Sequence, residues 1–102
     1  MRIIQTNVAF KDAVHISSGM ISEPVSNLFN QALQKTYSAI IITPTIGSLV
    51  PGLSNTTMQG LRVCTIRRFR NYLVFYRIEK DCIVVERILD GRRNYLELFI
   101  SE

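Results

Sequence analysis

The chain has 102 residues, of which 47% are hydrophobic and 20% charged, as in an ordinary folded protein rather than a disordered or fibrous one. This length suits one hydrophobic core, so we expect a single domain over 1–102. The longest apolar stretch, 39–50, contains Pro44 and Gly47 and is shorter than the roughly 20 residues of a membrane span. The N-terminus lacks the apolar segment of a signal peptide. We therefore expect a cytoplasmic protein that does not contact membranes.

The N-terminal half predicts a strand followed by two helices. Residues 2–6 have a β-like pattern, and 7–21 have a weakly helical one. A clearer helix begins near Pro24, with Ser22 as its candidate cap, and the proline at 44 ends it. Its apolar residues recur at the spacing of one buried helix face: Val25, Leu28, Phe29, Ala32, Leu33, Thr36, Tyr37 and Ile40.

The C-terminal half predicts a sheet. After a long loop over 43–60, three β-rich runs follow: Leu61–Arg68, Tyr72–Ile78 and Cys82–Leu89. The gaps at Asn71 and 79–81 are short enough for antiparallel hairpins. Both alternating sets of 72–78 are bulky, which favours a central strand, and Tyr95–Phe99 is a last short strand or helical turn. The predicted fold is α+β: an N-terminal strand and a two-helix hairpin packed on a C-terminal antiparallel sheet of three to four strands.

Few residues suggest a metal or cofactor site. Cys64 and Cys82 lie in apolar β-like runs, where small buried thiols commonly fill the core. The lone His15 has no ligand partners at zinc spacing, and we assign it no role. We expect neither a metal nor a cofactor. Tyr72 and Tyr76 are expected in the core.

Positive charge is concentrated in one part of the chain, whose net charge is +4. Five arginines and no acid lie between 62 and 77, namely Arg62, Arg67, Arg68, Arg70 and Arg77. Such a patch fits a polyanionic or acidic partner, although charge alone favours a solvated strand face equally. Within the strands, Arg77 and Arg87 have Glu79 or Glu86 as candidate ion-pair partners.

Three segments of the C-terminal half resemble the ParE-like toxins of the RelE/ParE superfamily. They are Gly60-Leu61-Arg62, Phe69–Arg77 and Val85–Arg93. The N-terminal half resembles this family more weakly, through Thr6–Asp12, Pro24 and Pro44–Gly47. The sequence departs from the family pattern at Asp90, where many relatives have His, at Asn94, where they have Asp, and at Arg68 and Arg70. The resemblance implies the toxin of a type II toxin–antitoxin system, of the kind that stabilises plasmids.

The resemblance leaves two modes of action open. ParE-like toxins bind and inhibit DNA gyrase without chemistry of their own, whereas RelE-like toxins cleave mRNA on the ribosome. Phe99 and Leu73 fall where the ribonucleases have Tyr and Arg, which makes catalysis the less favoured alternative. A nuclease would have to use Asp90, Arg92, Arg93 and Tyr95. A third alternative is a non-toxic, degenerate module that only binds an antitoxin-like protein.

The arginines divide into two predicted binding sets. Target contact is assigned to Arg87, Arg92 and Arg93, and antitoxin contact to Arg62, Arg67, Arg68, Arg70 and Arg77. The expected partners are a cognate antitoxin and DNA gyrase, with the ribosome and mRNA as the alternative target. A homodimer and a toxin–antitoxin hetero-oligomer are both open.

Overall fold

The computed structural model describes residues 1–100 and has the predicted order of elements. The strands are β1 Arg2–Gln5, β2 Ser48–Leu49, β3 Arg62–Ile66, β4 Phe69–Ile78 and β5 Cys82–Asp90. The helices are α1 Asn7–Ser18, α2 Glu23–Ile42 and α3 Leu96–Ile100, so the ambiguous last element is helical.

The sheet has five strands in the order β1-β5-β4-β3-β2. The two predicted antiparallel hairpins, β3–β4 and β4–β5, are present. In addition, β1 pairs in parallel with β5. Two helices and three strands separate β1 from β5 along the chain, a connection long enough for the crossover that parallel pairing requires. The α+β prediction is confirmed, but the sheet is mixed and larger than expected. With only two residues, β2 is too short to show the alternation of apolar and polar residues by which a strand is predicted from sequence.

Both helices begin at side-chain caps. The Thr6 hydroxyl accepts a hydrogen bond from the Ala9 backbone at 3.0 Å, and the Ser22 hydroxyl accepts one from Val25 at 3.4 Å. These caps satisfy backbone N–H groups that have no partner within a helix. No helix within residues 1–100 combines the length and apolar character needed to cross a membrane.

The central strand β4 is covered on both faces, as predicted. Val74 and Tyr76 pack with the helices in a first cluster, whereas Phe75 packs on the opposite face with Leu89 and Phe99. Side chains alternate across a strand, so one run of apolar residues serves both clusters. Tyr76 is fully buried and Tyr72 half-buried against the first cluster, which confirms them as core residues.

The turn between β3 and β4 is not where the sequence predicts it. Ile66 pairs with Phe69, so Arg67 and Arg68 form the turn and Asn71 lies within β4. The Arg68 backbone is left-handed, with a φ of 73°, a conformation that usually selects glycine. An arginine gives no sequence signal for such a turn.

Candidate functional site at the basic end of the sheet

One end of the sheet collects five arginines from two separate segments. At this end β3 finishes, β4 begins and β5 finishes, as the pairs Ile66–Phe69 and Tyr72–Asp90 show. We call the following set the basic end: Arg67, Arg68, Arg70, Arg92 and Arg93. The topology thus unites residues that the sequence assigned to separate antitoxin and target sets.

The two segments of the basic end are joined through the backbone. The Gly91 N–H donates to the Asn71 carbonyl at 2.6 Å, which places the turn carrying Arg92 and Arg93 beside the start of β4. A Cβ atom at Gly91 would lie 3.0 Å from Leu73 Cδ1 and 3.3 Å from the Asn71 oxygen. The close approach therefore favours glycine at this position.

Asp90 is the acid within this cluster, and Arg92 holds it. The Arg92 Nη2 and Nε donate to the Asp90 carboxylate at 2.6 and 3.0 Å, and the Arg92 backbone N–H donates at 3.0 Å. The hydrogen bonds from the Arg92 side chain and backbone lower the pKa of Asp90 to about 2. Asp90 is therefore a carboxylate at neutral pH and has no proton to donate.

The remaining arginines of the basic end are available to a partner. Arg67, Arg68, Arg70 and Arg93 are exposed, and none of them forms an ion pair within residues 1–100. Among the described residues of this end, five arginines against one carboxylate leave an excess of four positive charges. The basic end is therefore the chain's concentrated positive surface.

A cavity of about 420 Å³ lies beside the basic end, between α1 and the end of β5. Among its lining residues are His15, Tyr72, Asp90 and Arg93. Sequence reasoning assigned His15 no role, because nothing in the local pattern shows that α1 lies against a strand about 75 residues later. Among the described residues, no three His, Cys, Asp or Glu side chains form a metal-binding group.

Besides Arg92, three of the arginines predicted to bind partners have partners inside the molecule. Arg62 donates to the Gly47 carbonyl at 2.7 Å, and Arg77 pairs with Glu86 at 2.7 Å and with Glu79 at 3.4 Å. These contacts favour structural roles for both arginines, and the Arg77 pairs are the predicted ones.

Arg87 pairs with an acid that the sequence did not indicate. Its Nε and Nη2 donate to the two carboxylate oxygens of Asp12 at 2.8 and 3.1 Å. The same carboxylate accepts the Ile88 backbone N–H at 3.0 Å. This bidentate contact joins α1 to β5, so a structural role is favoured for Arg87 as well.

A second surface, the α2–β3 groove, lies between α2 and β3, toward the edge of the sheet opposite β1. It is a cavity of about 720 Å³ whose walls include Lys35, Ile40, Ile46, Cys64 and Arg67. Since β2 pairs with β3 only at residues 62 and 63, the rest of that β3 edge has no strand beside it within the described chain. Burial raises the pKa of the Cys64 thiol to about 11, which makes it a poor nucleophile at neutral pH.

The rim of the groove is the segment 44–47, which contributes Ile46 to the groove wall, and hydrogen bonds with Tyr76 fix its position. Its hydroxyl donates to the Pro44 carbonyl at 2.7 Å and accepts the Gly47 N–H at 2.9 Å, and burial raises the pKa of this phenol. A Cβ atom at Gly47 would lie 2.7 Å from the Tyr76 oxygen and 2.9 Å from the Val63 carbonyl. The rim therefore requires glycine at position 47.

The positions compared with ribonucleases are apolar and packed. Phe99 is 5% exposed and its ring centroid lies 5.0 Å from that of Phe75. Leu73 packs against the same cluster, and the half-buried Tyr95 ring lies 4.9 Å from Phe75. All three side chains therefore pack in the cluster around Phe75, on the face of β4 opposite the helices.

Comparison with known proteins agrees with the resemblance seen in the C-terminal segments. Residues 3–95 match the model of the family described as ParE toxin of type II toxin-antitoxin system, parDE. A solved chain of the chromosomal ParDE toxin–antitoxin system from P. aeruginosa is similar to this one, with a TM-score of 0.68 and 19% identity. That match covers 86% of this chain and 92% of the other.

A second solved structure is the conserved hypothetical protein HP0894 from Helicobacter pylori, with a TM-score of 0.47 and 13% identity over 91% of this chain and 97% of that one. No curated protein sequence matches the chain. The family model spans nearly all of the described residues, and the solved ParDE chain shares the fold. The chain therefore belongs to the ParE toxin family of type II toxin–antitoxin systems.

Proposed function

We propose that this chain is a cytoplasmic toxin that inhibits DNA gyrase by binding it through the basic end. The observation that carries the proposal is the set of exposed arginines accompanied by one carboxylate that Arg92 already holds. Such a surface can bind an acidic or phosphorylated target, but it lacks an acid/base pair of the kind that RNA cleavage needs. Arg92 and Arg93, on the turn after β5, are assigned to target contact.

A ribosome-dependent mRNA nuclease is the second candidate, and the cavity beside the basic end favours it. There His15, a residue type often used as a general acid or base, lines the same cavity as the cation Arg93. Asp90 is a weaker candidate because its pKa of about 2 leaves it without a proton to donate and makes it a weak base. Tyr95 is half-buried against Phe75.

Neutralisation by an antitoxin is assigned to the α2–β3 groove. The groove has apolar walls, the cations Lys35 and Arg67, and a β3 edge that has no strand beside it after residue 63 in the described part of the chain. These features suit an extended acidic and apolar segment that adds to the sheet. Arg67 belongs to both the groove and the basic end. An antitoxin segment that pairs with Arg67 would therefore also reduce the charge offered to the target.

Inducing the chain alone tests the proposed function. We expect growth arrest with blocked replication, no new mRNA ends in the first minutes, and recovery when the antitoxin is co-expressed. Mapped cleavage at ribosomal A sites that His15→Gln abolishes would instead establish the nuclease. Normal growth at high soluble expression would show a non-toxic binding module.

The groove assignment is tested by antitoxin association. Charge reversal by Arg67→Glu is expected to slow association strongly in about 0.05 M salt and much less in 1 M salt, where the Debye length is only about 3 Å. Arg2→Glu makes the same charge change at the other end of the sheet, since Arg2 pairs with Cys82. Equal slowing by both substitutions would refute the assignment.

A further inference from the structure

We propose that the basic end is a binding site for the sugar–phosphate backbone of duplex DNA. This inference specifies the chemistry of the surface assigned above to target contact. It is independent of gyrase, because it requires the purified chain to bind DNA by itself. Its failure would therefore leave gyrase binding untouched.

The geometry of the basic end suits a repeating anion. β4 begins three residues before Tyr72, the partner of Asp90, so the β3–β4 hairpin projects about 10 Å beyond the end of β5 at about 3.3 Å per residue. Arg67 and Arg68 therefore lie at the tip and Arg92 and Arg93 at the base. A duplex carries one negative charge per about 1.7 Å of its axis, so a row of this length meets several phosphates at once.

The surroundings of these arginines suit contact with a sugar–phosphate backbone. The exposed large apolar side chains of the described chain lie outside residues 67–72 and 90–94. Protein interfaces usually have an apolar, well-packed centre, whereas most protein–DNA hydrogen bonds go to phosphate and sugar. Arginine suits the phosphate role because its planar guanidinium forms two parallel hydrogen bonds.

The aromatic residues near the basic end favour a duplex over a single strand. Phe69 and Tyr72 are half-buried and pack edge-on against Phe29, with ring centroids 5.3 and 5.6 Å from it. Proteins that bind single strands stack the bases on exposed aromatic rings. With these rings engaged in the core, the basic end offers cations without a stacking surface.

The backbone of Arg68 supports a binding role for its side chain. A φ of 73° is a conformation in which glycine is less strained, yet the chain has arginine at this tip. Strained residues of this kind concentrate at functional sites. The same position lies in the turn at the tip of the β3–β4 hairpin.

The test is the salt dependence of binding between the purified full chain and a labelled 20-base-pair duplex, followed by fluorescence anisotropy. Four phosphate contacts, from Arg67, Arg68, Arg70 and Arg93, predict a slope of about −3.6 for log K against log salt concentration. The variant Arg67→Ala/Arg70→Ala is expected to reduce the magnitude of that slope by about 1.8 and to weaken binding at least tenfold at low salt.

A matched control removes the same charge from the opposite end of the sheet. Arg2 pairs with Cys82 at the start of β5, and Lys80 lies in the β4–β5 turn, and both are exposed. The variant Arg2→Ala/Lys80→Ala should retain the parental slope and affinity. Equal weakening by both double variants would show general charge attraction and overturn the proposal.

Three further results would also overturn it. The first is the absence of duplex binding at low salt by a protein with parental circular dichroism. The second is tight binding of poly-glutamate with no binding of the duplex, which would make the basic end a site for an acidic protein. A preference for a single-stranded oligonucleotide that Tyr72→Leu removes would contradict the duplex assignment.

Discussion

The contact between Asp12 and Arg87 can be broken from either side, and the cost should identify Arg87 as a structural residue. Asp12→Ala would leave the Arg87 side chain, only 25% exposed, without its carboxylate partner and the Ile88 N–H without its acceptor. An exposed ion pair contributes about 0–1 kcal/mol and breaking a buried one costs about 3–5 kcal/mol. A lost backbone acceptor costs about 1–3 kcal/mol. Because this pair has intermediate burial, we expect Asp12→Ala to lower the free energy of unfolding by about 3 kcal/mol. For a chain of this size, that loss lowers the melting temperature by about 12–24 °C.

The assay is urea and thermal unfolding of Asp12→Ala, Arg87→Met and the double variant, with Asp81→Ala as an exposed control in the β4–β5 turn. Because the two side chains contact each other, their effects should couple by roughly 2 kcal/mol, within the range for contacting residues. Parental unfolding midpoints for both single variants would refute the reasoning, and so would additive losses. In that case Arg87 would again be a candidate for target contact.

Three shorter predictions concern the groove, the turn and alkaline pH. Tyr76→Phe leaves the N–H of Gly47 and a carbonyl without partners and should lower the free energy of unfolding by about 1–3 kcal/mol, measured in urea; an unchanged midpoint would contradict the hydroxyl's structural role. Arg68→Gly relieves a left-handed backbone and should raise that free energy by roughly 0.5–1 kcal/mol, whereas Arg68→Ala should not. Burial raises the pKa of Cys64 from 9.0 to about 11 and that of Tyr37 above 10.0, so the unfolded chain releases these protons while the folded chain keeps them. The stability that these two protonated groups contribute is therefore fully present below about pH 9 and should fall as pH rises through 9–11. Melting temperatures that do not change over this range would disprove the effect, and Tyr37→Phe should reduce it.

The helices and central strands could be predicted because each has a long local signal. The apolar spacing after Pro24 and the two-sided pattern of 72–78 describe burial directly, so α2 appears where expected and β4 includes the whole predicted run, although it begins three residues earlier. The exposed Val8, Phe10 and Val14 blurred the pattern of α1, because they occupy its solvent side.

The parts that were missed depend on contacts between distant segments or on backbone conformations without a residue signature. A left-handed arginine at 68 moved the first hairpin turn away from Asn71. The pairing of Asp12 with Arg87 joins residues 75 positions apart, a distance at which sequence spacing carries no information. The sequence showed the cluster of arginines, but only the strand order places Arg67 and Arg70 beside Arg92.

The most direct measurement of the central claim is inhibition of purified DNA gyrase in a supercoiling assay. We expect that the parental chain inhibits, that Arg92→Ala/Arg93→Ala loses inhibition while its melting temperature stays within a few degrees, and that Arg2→Ala/Lys80→Ala inhibits like the parent. Undiminished supercoiling in the presence of the folded parental chain would contradict gyrase as the target. Full inhibition by folded Arg92→Ala/Arg93→Ala would contradict the basic end as the surface that acts.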